Sequence, residues 1–268
     1  MGLIPLLWGC RGPVVDVLPG TGVCVWNQAY QERSAAEADS IEAMLEAARG
    51  CYTLLDPFDV DTQVQVRAAI PELQSLGNEV GCYISVGTCE EWRADYASMA
   101  PYCTDREWNA WPGEFFVSDT DGITPLMEAR FEDAAAMGCD WVEFDNMDWG
   151  FDDELREATG FEATAAAAIA YTNSLCESAH ALGMKCMGKS SLQGAVGFDG
   201  GTFESWPNEM DWWEHADLQD LLDAGKTGIV IHYAERNCES AANSYRESYG
   251  SGLSFLCEDR SLGAYRRL

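Results

Sequence analysis

The sequence is poor in basic residues: 16 Lys and Arg stand against 45 Asp and Glu, a formal net charge of −29 over 268 residues. That deficit argues against nucleic acid and anionic membrane surfaces as partners, because both repel such a surface. Histidine is scarce, with three in the chain, and no two cysteines stand in C-x-x-C spacing. A zinc site has little support on those grounds, and no metal is expected. There is no run of about 20 apolar residues, so no membrane insertion is expected. A Ser-His-Asp triad would want a G-x-S-x-G segment, and none is present. No G-x-G-x-x-G follows the first strand candidate, which weakens dinucleotide binding. No cofactor is expected. Acceptor sites of the form N-x-S/T are also missing.

Hydrophobic residues are not lacking. They make up 47% of the chain, enough for one large core in one domain. Eleven cysteines suggest an oxidising, extracellular setting with several disulfides and, the count being odd, an unpaired thiol. Cys89 with Cys103, and Cys238 with Cys257, are local pairs of suitable spacing; the rest of the connectivity stays open. The opening Met1-Gly-Leu-Ile-Pro-Leu-Leu-Trp8 is apolar but short and lacks a basic start. Residues 1–22 are therefore set apart as an extension or signal remnant, and 23–268 form the domain. The acidic surface would attract a cationic substrate; solubility in a salty medium explains it equally well.

Short apolar stretches alternate with amphipathic ones. Eight strand candidates are Val23–Gln28, Cys51–Asp56, Val80–Gly87, Asp140–Asp145, Met184–Lys189, Gly201–Glu204, Thr227–His232 and Ser254–Cys257. Ser34 to Glu37 reads as a capping box opening a helix that runs to about Arg49. Thr124-Pro125 reads as the start of a helix ended by Gly138, and Glu162–Leu182 as the longest helix. Eight strands with helical returns predict a single (β/α)8 barrel of the TIM type; a doubly wound sheet is the rival. Thr88–Thr124 would be a long loop at the mouth.

In such barrels, polar residues at the C-terminal strand ends face the active site. Asp56, Asp145, Lys189 and Glu204 occupy such ends. One acid among 45 is more simply a cap or a surface group, but four converging ends are harder to dismiss. Side chains alternate along a strand, so Glu143 and Asp145 share the inward face while Val142 and Phe144 point at the helices. Asn146 and Asp148 follow on the loop and, with Glu143, are candidates to contact the substrate. Buried acids need partners, and Lys189 at the same height would supply a charge for Asp145. Glu204, next to Trp206, suits a proton donor, and two carboxylates of unlike surroundings are what glycosidic cleavage requires. Trp26, Trp92, Trp111, Trp206 and Tyr233 are candidates to stack on sugar rings, and His232 to reach the mouth. His180 reads as a surface residue. A metal-assisted hydrolase built on Glu143, Asp145 and Asp148 is an alternative.

Taken in order, several segments resemble the endo-α-1,4-polygalactosaminidases, glycoside hydrolase family 114. They are Tyr83-Ile-Ser-Val-Gly-Thr-Cys-Glu-Glu-Trp-Arg93, Trp111-Pro-Gly-Glu114, Pro125-x-Met127-x-x-Arg130, Glu143-Phe-Asp-Asn-Met-Asp148, Tyr171-x-Asn173, Ala179-His180 and Asp223-Ala-Gly-Lys226. The resemblance implies a (β/α)8 barrel that hydrolyses α-1,4-linked galactosamine inside a polycationic amino-sugar polysaccharide. It also implies Asp145 as nucleophile and Glu204 as acid/base. Lys189, Asp56 and Tyr83 would position the substrate, and a monomer is expected. The chain departs from the family at Lys189-Ser190-Ser191, at His232 and around Glu204. Those departures motivate a second alternative, a carbohydrate-binding barrel without turnover.

Overall fold

In the computed structural model, the described residues are 22–30, 40–108, 111–153, 156, 164–190, 197–206, 215–233, 238–259 and 264–267. Twelve strands follow one another: β1 (Val25–Asn27), β2 (Tyr52–Leu55), β3 (Glu79–Ser85), β4 (Thr88–Glu90), β5 (Cys103–Glu107), β6 (Glu114–Val117), β7 (Trp141–Asp145), β8 (Lys185–Lys189), β9 (Gly200–Ser205), β10 (Thr227–Tyr233), β11 (Ser254–Asp259) and β12 (Ala264–Arg267). Eight of them form a parallel run in the order β1-β2-β3-β7-β8-β9-β10-β11, with β12 antiparallel on β11. These eight are the strands expected from the sequence. The run curls into a nearly closed barrel: the Gly22 N–H donates to Ser251 O at 2.8 Å and the Val23 N–H to Ser254 Oγ at 2.9 Å, bringing the first strand's entry to the last.

The alternation of side chains divides the core in two. Val25, Tyr52, Leu54, Tyr83, Trp141, Met187, Ile229, Ile231, Tyr233 and Leu256 fill the barrel. Their strand neighbours Trp26, Leu55, Ile84, Val142, Phe144, Phe203, Val230 and Phe255 meet the surrounding helices. Phe144 shows the outer layer at its tightest. It is fully buried, stacked on Phe131 at 5.3 Å and edge-on to Phe198 at 5.9 Å.

Side-chain caps set the helix starts. The capping box at Ser34 to Glu37 lies outside the described residues; the helix Ile41–Ala47 is capped by Ser40, whose side chain accepts the Ala43 N–H. The helix expected from Thr124-Pro125 begins at Thr120, because the Asp119 carboxylate accepts the Gly122 N–H one turn earlier. It runs Thr120–Met137 and stops at Gly138, whose φ of 95° suits a residue without Cβ. At 18 residues it exceeds the 17 described for Ala165–Ala181, the helix expected to be longest.

The long connection after β3 is not a bare loop. It holds a small antiparallel sheet, β4-β6-β5, stapled by the Cys89–Cys103 disulfide. Four more bridges, Cys24–Cys51, Cys82–Cys139, Cys176–Cys186 and Cys238–Cys257, each reach a barrel strand or the residue beside one. Both local pairs read from the sequence are formed. Cys10 lies outside the described residues.

Candidate active site

Inward positions near the C-terminal ends of β3, β7, β8, β9 and β10 bring Tyr83, Asp145, Lys189, Glu204 and Tyr233 together. Lys189 is the centre of the group. Its Nζ lies 3.0 Å from Asp145 Oδ2 and 3.1 Å from Glu204 Oε2. The side chains of all three are only 10–13% exposed, so water screens these contacts poorly. Burial alone would lower the lysine's pKa. The carboxylates of Asp145, Glu204 and Glu143 outweigh it and hold the ammonium above its usual range.

Each carboxylate has its own tyrosine. Tyr83 donates its hydroxyl to Asp145 Oδ2 at 2.7 Å, and Tyr233 donates to Glu204 Oε1. Asp145 Oδ1 accepts the Asn146 backbone N–H at 2.7 Å. One layer down, Glu143 is fully buried and accepts from the hydroxyls of Tyr30 and Thr202, the latter at 2.7 Å. Burial pushes its carboxyl up to about 7, against the two hydroxyl donors and Lys189. Lys189 Nζ also sits 4.4 Å from the centre of the Tyr30 ring. Burial raises the pKa values of Tyr30 and Tyr83 well above the phenol range, so both stay neutral donors.

The chain turns sharply after two of these residues. Asn146 and Ser190 directly follow Asp145 and Lys189 and are the two non-glycine residues of positive φ among those described, at 62° and 57°. Such conformations gather at functional sites. Gly87 makes the first turn possible: a Cβ there would fall 1.6 Å from the Asn146 carbonyl oxygen.

Other expected site residues go elsewhere. Trp26 and His232 occupy outward positions. Trp26 joins the helix-side core, and His232 Nδ1 lies 3.0 Å from Ser205 Oγ with its ring beside Phe255. Both fail to reach the mouth because their neighbours Val25 and Tyr233 take the inward places. Asp56 is committed to Arg93, two contacts of 2.8 Å, and caps the Phe58 and Asp59 N–H groups. Arg93 in turn grips Glu90. The Asn146 side chain points into the small sheet, at Ser85, Thr88 and Glu114. Asp148 starts the short helix Asp148–Phe151. Trp206 packs at 5.0 Å on Tyr233, whose hydroxyl donates to Glu204. Trp92 and Trp111 lie on the β4-β6-β5 insert, Trp111 at 44% exposure. The exposed His180 pairs with Asp199.

Three contributors are not among the site residues expected from the sequence, although Glu114 ends the segment Trp111-Pro-Gly-Glu114. Parity would have found Thr202, two residues before Glu204. Tyr30 sits in an irregular turn and Glu114 in the insert, where no periodicity points to either. Among the described residues, no three His, Cys, Asp or Glu side chains are grouped as metal ligands. The oxygens of Asp145 and Glu143 are taken by ammonium, hydroxyl and amide donors, which does not fit the metal-assisted alternative.

A pair of buried carboxyl groups around one ammonium, in a barrel mouth walled by aromatic rings, has the parts for breaking a glycosidic bond. The model of the family described as Glycoside-hydrolase family GH114 matches residues 27–268. No curated protein matches the chain. Among solved structures, the chain superposes on Ega3 of Aspergillus fumigatus, determined in complex with galactosamine, with 20% identity, a TM-score of 0.64, and coverage of 97% of this chain and 100% of that one. The glycoside hydrolase domain of PelA from Pseudomonas aeruginosa gives 16% identity, a TM-score of 0.59, and coverage of 91% and 96%. At these identities the likeness speaks for the fold.

Proposed function

Because the chain belongs to glycoside-hydrolase family GH114 and is a glycoside hydrolase, we propose that it cuts α-1,4-linked galactosamine polysaccharide at internal bonds, with Asp145 and Glu204 as the working carboxylates. The observation that carries this reading is the shared ammonium. Two oxygens at 3.0 and 3.1 Å from one nitrogen are at most about 6 Å apart, compatible with the about 5–5.5 Å spacing of retaining pairs.

Asp145 attacks the anomeric carbon while Glu204 gives its proton to the departing glycosidic oxygen. A glycosyl ester on Asp145 results. Glu204 then takes a proton from water, the water oxygen attacks the anomeric carbon, and Asp145 leaves as carboxylate. Tyr83 and Asn146 hold Asp145 in line, and Tyr233 holds Glu204. The net charge of −29 draws in a polycationic chain. The galactosamine bound to the similar Ega3 favours the same sugar here. Five disulfides favour a site of action outside the cell, and no helix among the described residues is long and apolar enough to cross a membrane.

The test is proton NMR of the first products from partly deacetylated poly-α-1,4-galactosamine. New reducing ends should appear as the α-anomer before mutarotation. Initial β-anomer would overturn the mechanism, and faster cutting of the fully N-acetylated polymer would overturn the substrate.

A further inference from the structure

Glu114 begins β6 in the insert and is 5% exposed. Its Oε2 accepts from Thr88 Oγ1 at 3.1 Å and from Asn146 Nδ2 at 3.0 Å. The same Asn146 nitrogen reaches Ser85 Oγ at 2.9 Å and Thr88 Oγ1 at 3.2 Å, and those two hydroxyls lie 2.5 Å apart. The asparagine side chain is therefore gripped by three oxygens, two of them supplied by the insert. Its backbone stands at φ 62° and delivers its N–H to Asp145 Oδ1 at 2.7 Å. A left-handed residue persists only where its surroundings over-determine it, and this grip does so.

Resting on the reading of Asp145 as nucleophile, we propose that Glu114 is a positioning residue: through Asn146 it fixes the backbone N–H that aims the Asp145 carboxylate. The insert is thereby part of the catalytic apparatus and not only a wall of the groove. The charged groups facing Glu114 are Glu90, itself paired with Arg93 and close to Arg130, together with Asp145 and Lys189. Burial first, then Glu90 and Asp145, push its carboxyl up to about 8. Below that pH the group is a neutral acid, and its unprotonated oxygen accepts from Thr88 and Asn146 as an amide oxygen would. Glutamine reproduces that form; alanine removes the acceptor.

The experiment compares the full-length parent with Glu114→Ala and Glu114→Gln. It follows hydrogen exchange of the Asn146 backbone amide by NMR, and kcat and KM on partly deacetylated poly-α-1,4-galactosamine. In Glu114→Ala, the amide should exchange about tenfold faster, and kcat should fall about tenfold with KM little changed. Glu114→Gln should restore both to within about twofold of the parent. An Asn146 amide unmoved in Glu114→Ala, or a Glu114→Gln variant as impaired as the alanine one, overturns the proposal. Should Glu114→Ala fail to fold, Thr88→Val, which removes a hydroxyl from the same grip, should speed the exchange, and no change there overturns the proposal equally. If the parent leaves the polymer intact while the amide responds as stated, the substrate reading fails and the positioning of Asp145 by Glu114 stands.

Discussion

Lys189 Nζ and Asp145 Oδ2 are 3.0 Å apart, and the same ammonium lies 3.1 Å from Glu204. One buried cation thus holds both carboxyl groups of the proposed reaction. It bridges them and sets their separation. The departure at Lys189-Ser190-Ser191 leaves this cation in place, and Ser190 supports the neighbouring strand through its Oγ, 3.3 Å from the Glu204 N–H.

Replacing Lys189 by Met keeps much of the length and removes the charge. The two buried carboxyl groups would then lose the cation that bridges them. We expect kcat/KM to fall about 10²-fold or more and stability to drop by about 3 kcal/mol. Steady-state kinetics and urea unfolding measure the two effects. A Lys189→Met enzyme within about threefold of the parent would show that the ammonium is dispensable to the chemistry.

Glu143 predicts a stability that declines with rising pH. In the folded chain its carboxyl titrates near 7, against an ordinary value of 4.5. Between those values the folded state holds a proton that the unfolded chain has released, so stability is highest below about 4.5, falls as pH rises towards 7, and is flat beyond for this group. The slope reaches about 1.4 kcal/mol per pH unit at most. Glu143→Gln keeps the neutral form at every pH, so its Tm should gain on the parent between pH 5 and 7. A constant Tm difference across that range would contradict the assignment.

Phe144 precedes Asp145 and points the other way, into Phe131 and Phe198. Phe144→Ala should cost about 3–5 kcal/mol, read from the denaturant midpoint. Activity per folded molecule should fall much less than in variants of Asp145 itself, since the phenylalanine ring packs on the helix side of the strand. A loss below about 1 kcal/mol would mean that the outer layer closes over the hole.

The eight barrel strands were legible because most are short apolar runs and all lie between helix signals. The inward places of Asp145, Lys189, Glu204, Tyr83 and Tyr233 follow from the same alternation. His232 and Trp26 show how it can be misapplied. Each lies at or near a strand end, but next to the residue that takes the inward place, and side-chain parity overrides position along the strand. The insert was illegible for another reason. Its strands are three to five residues long and carry charges such as Asp105, Arg106 and Glu107, so no apolar alternation marks them although Phe116 and Val117 join the core. Glu114 could therefore not be placed beside Asn146 from spacing alone.

Product release from partly deacetylated poly-α-1,4-galactosamine, compared between the parent, Asp145→Asn and Glu204→Gln, tests the central claim most directly. The account predicts oligomers from the parent and losses of about 10²-fold or more in each variant. A parent that binds the polymer and releases nothing, or either variant retaining activity within about tenfold of the parent, would contradict paired catalysis by Asp145 and Glu204.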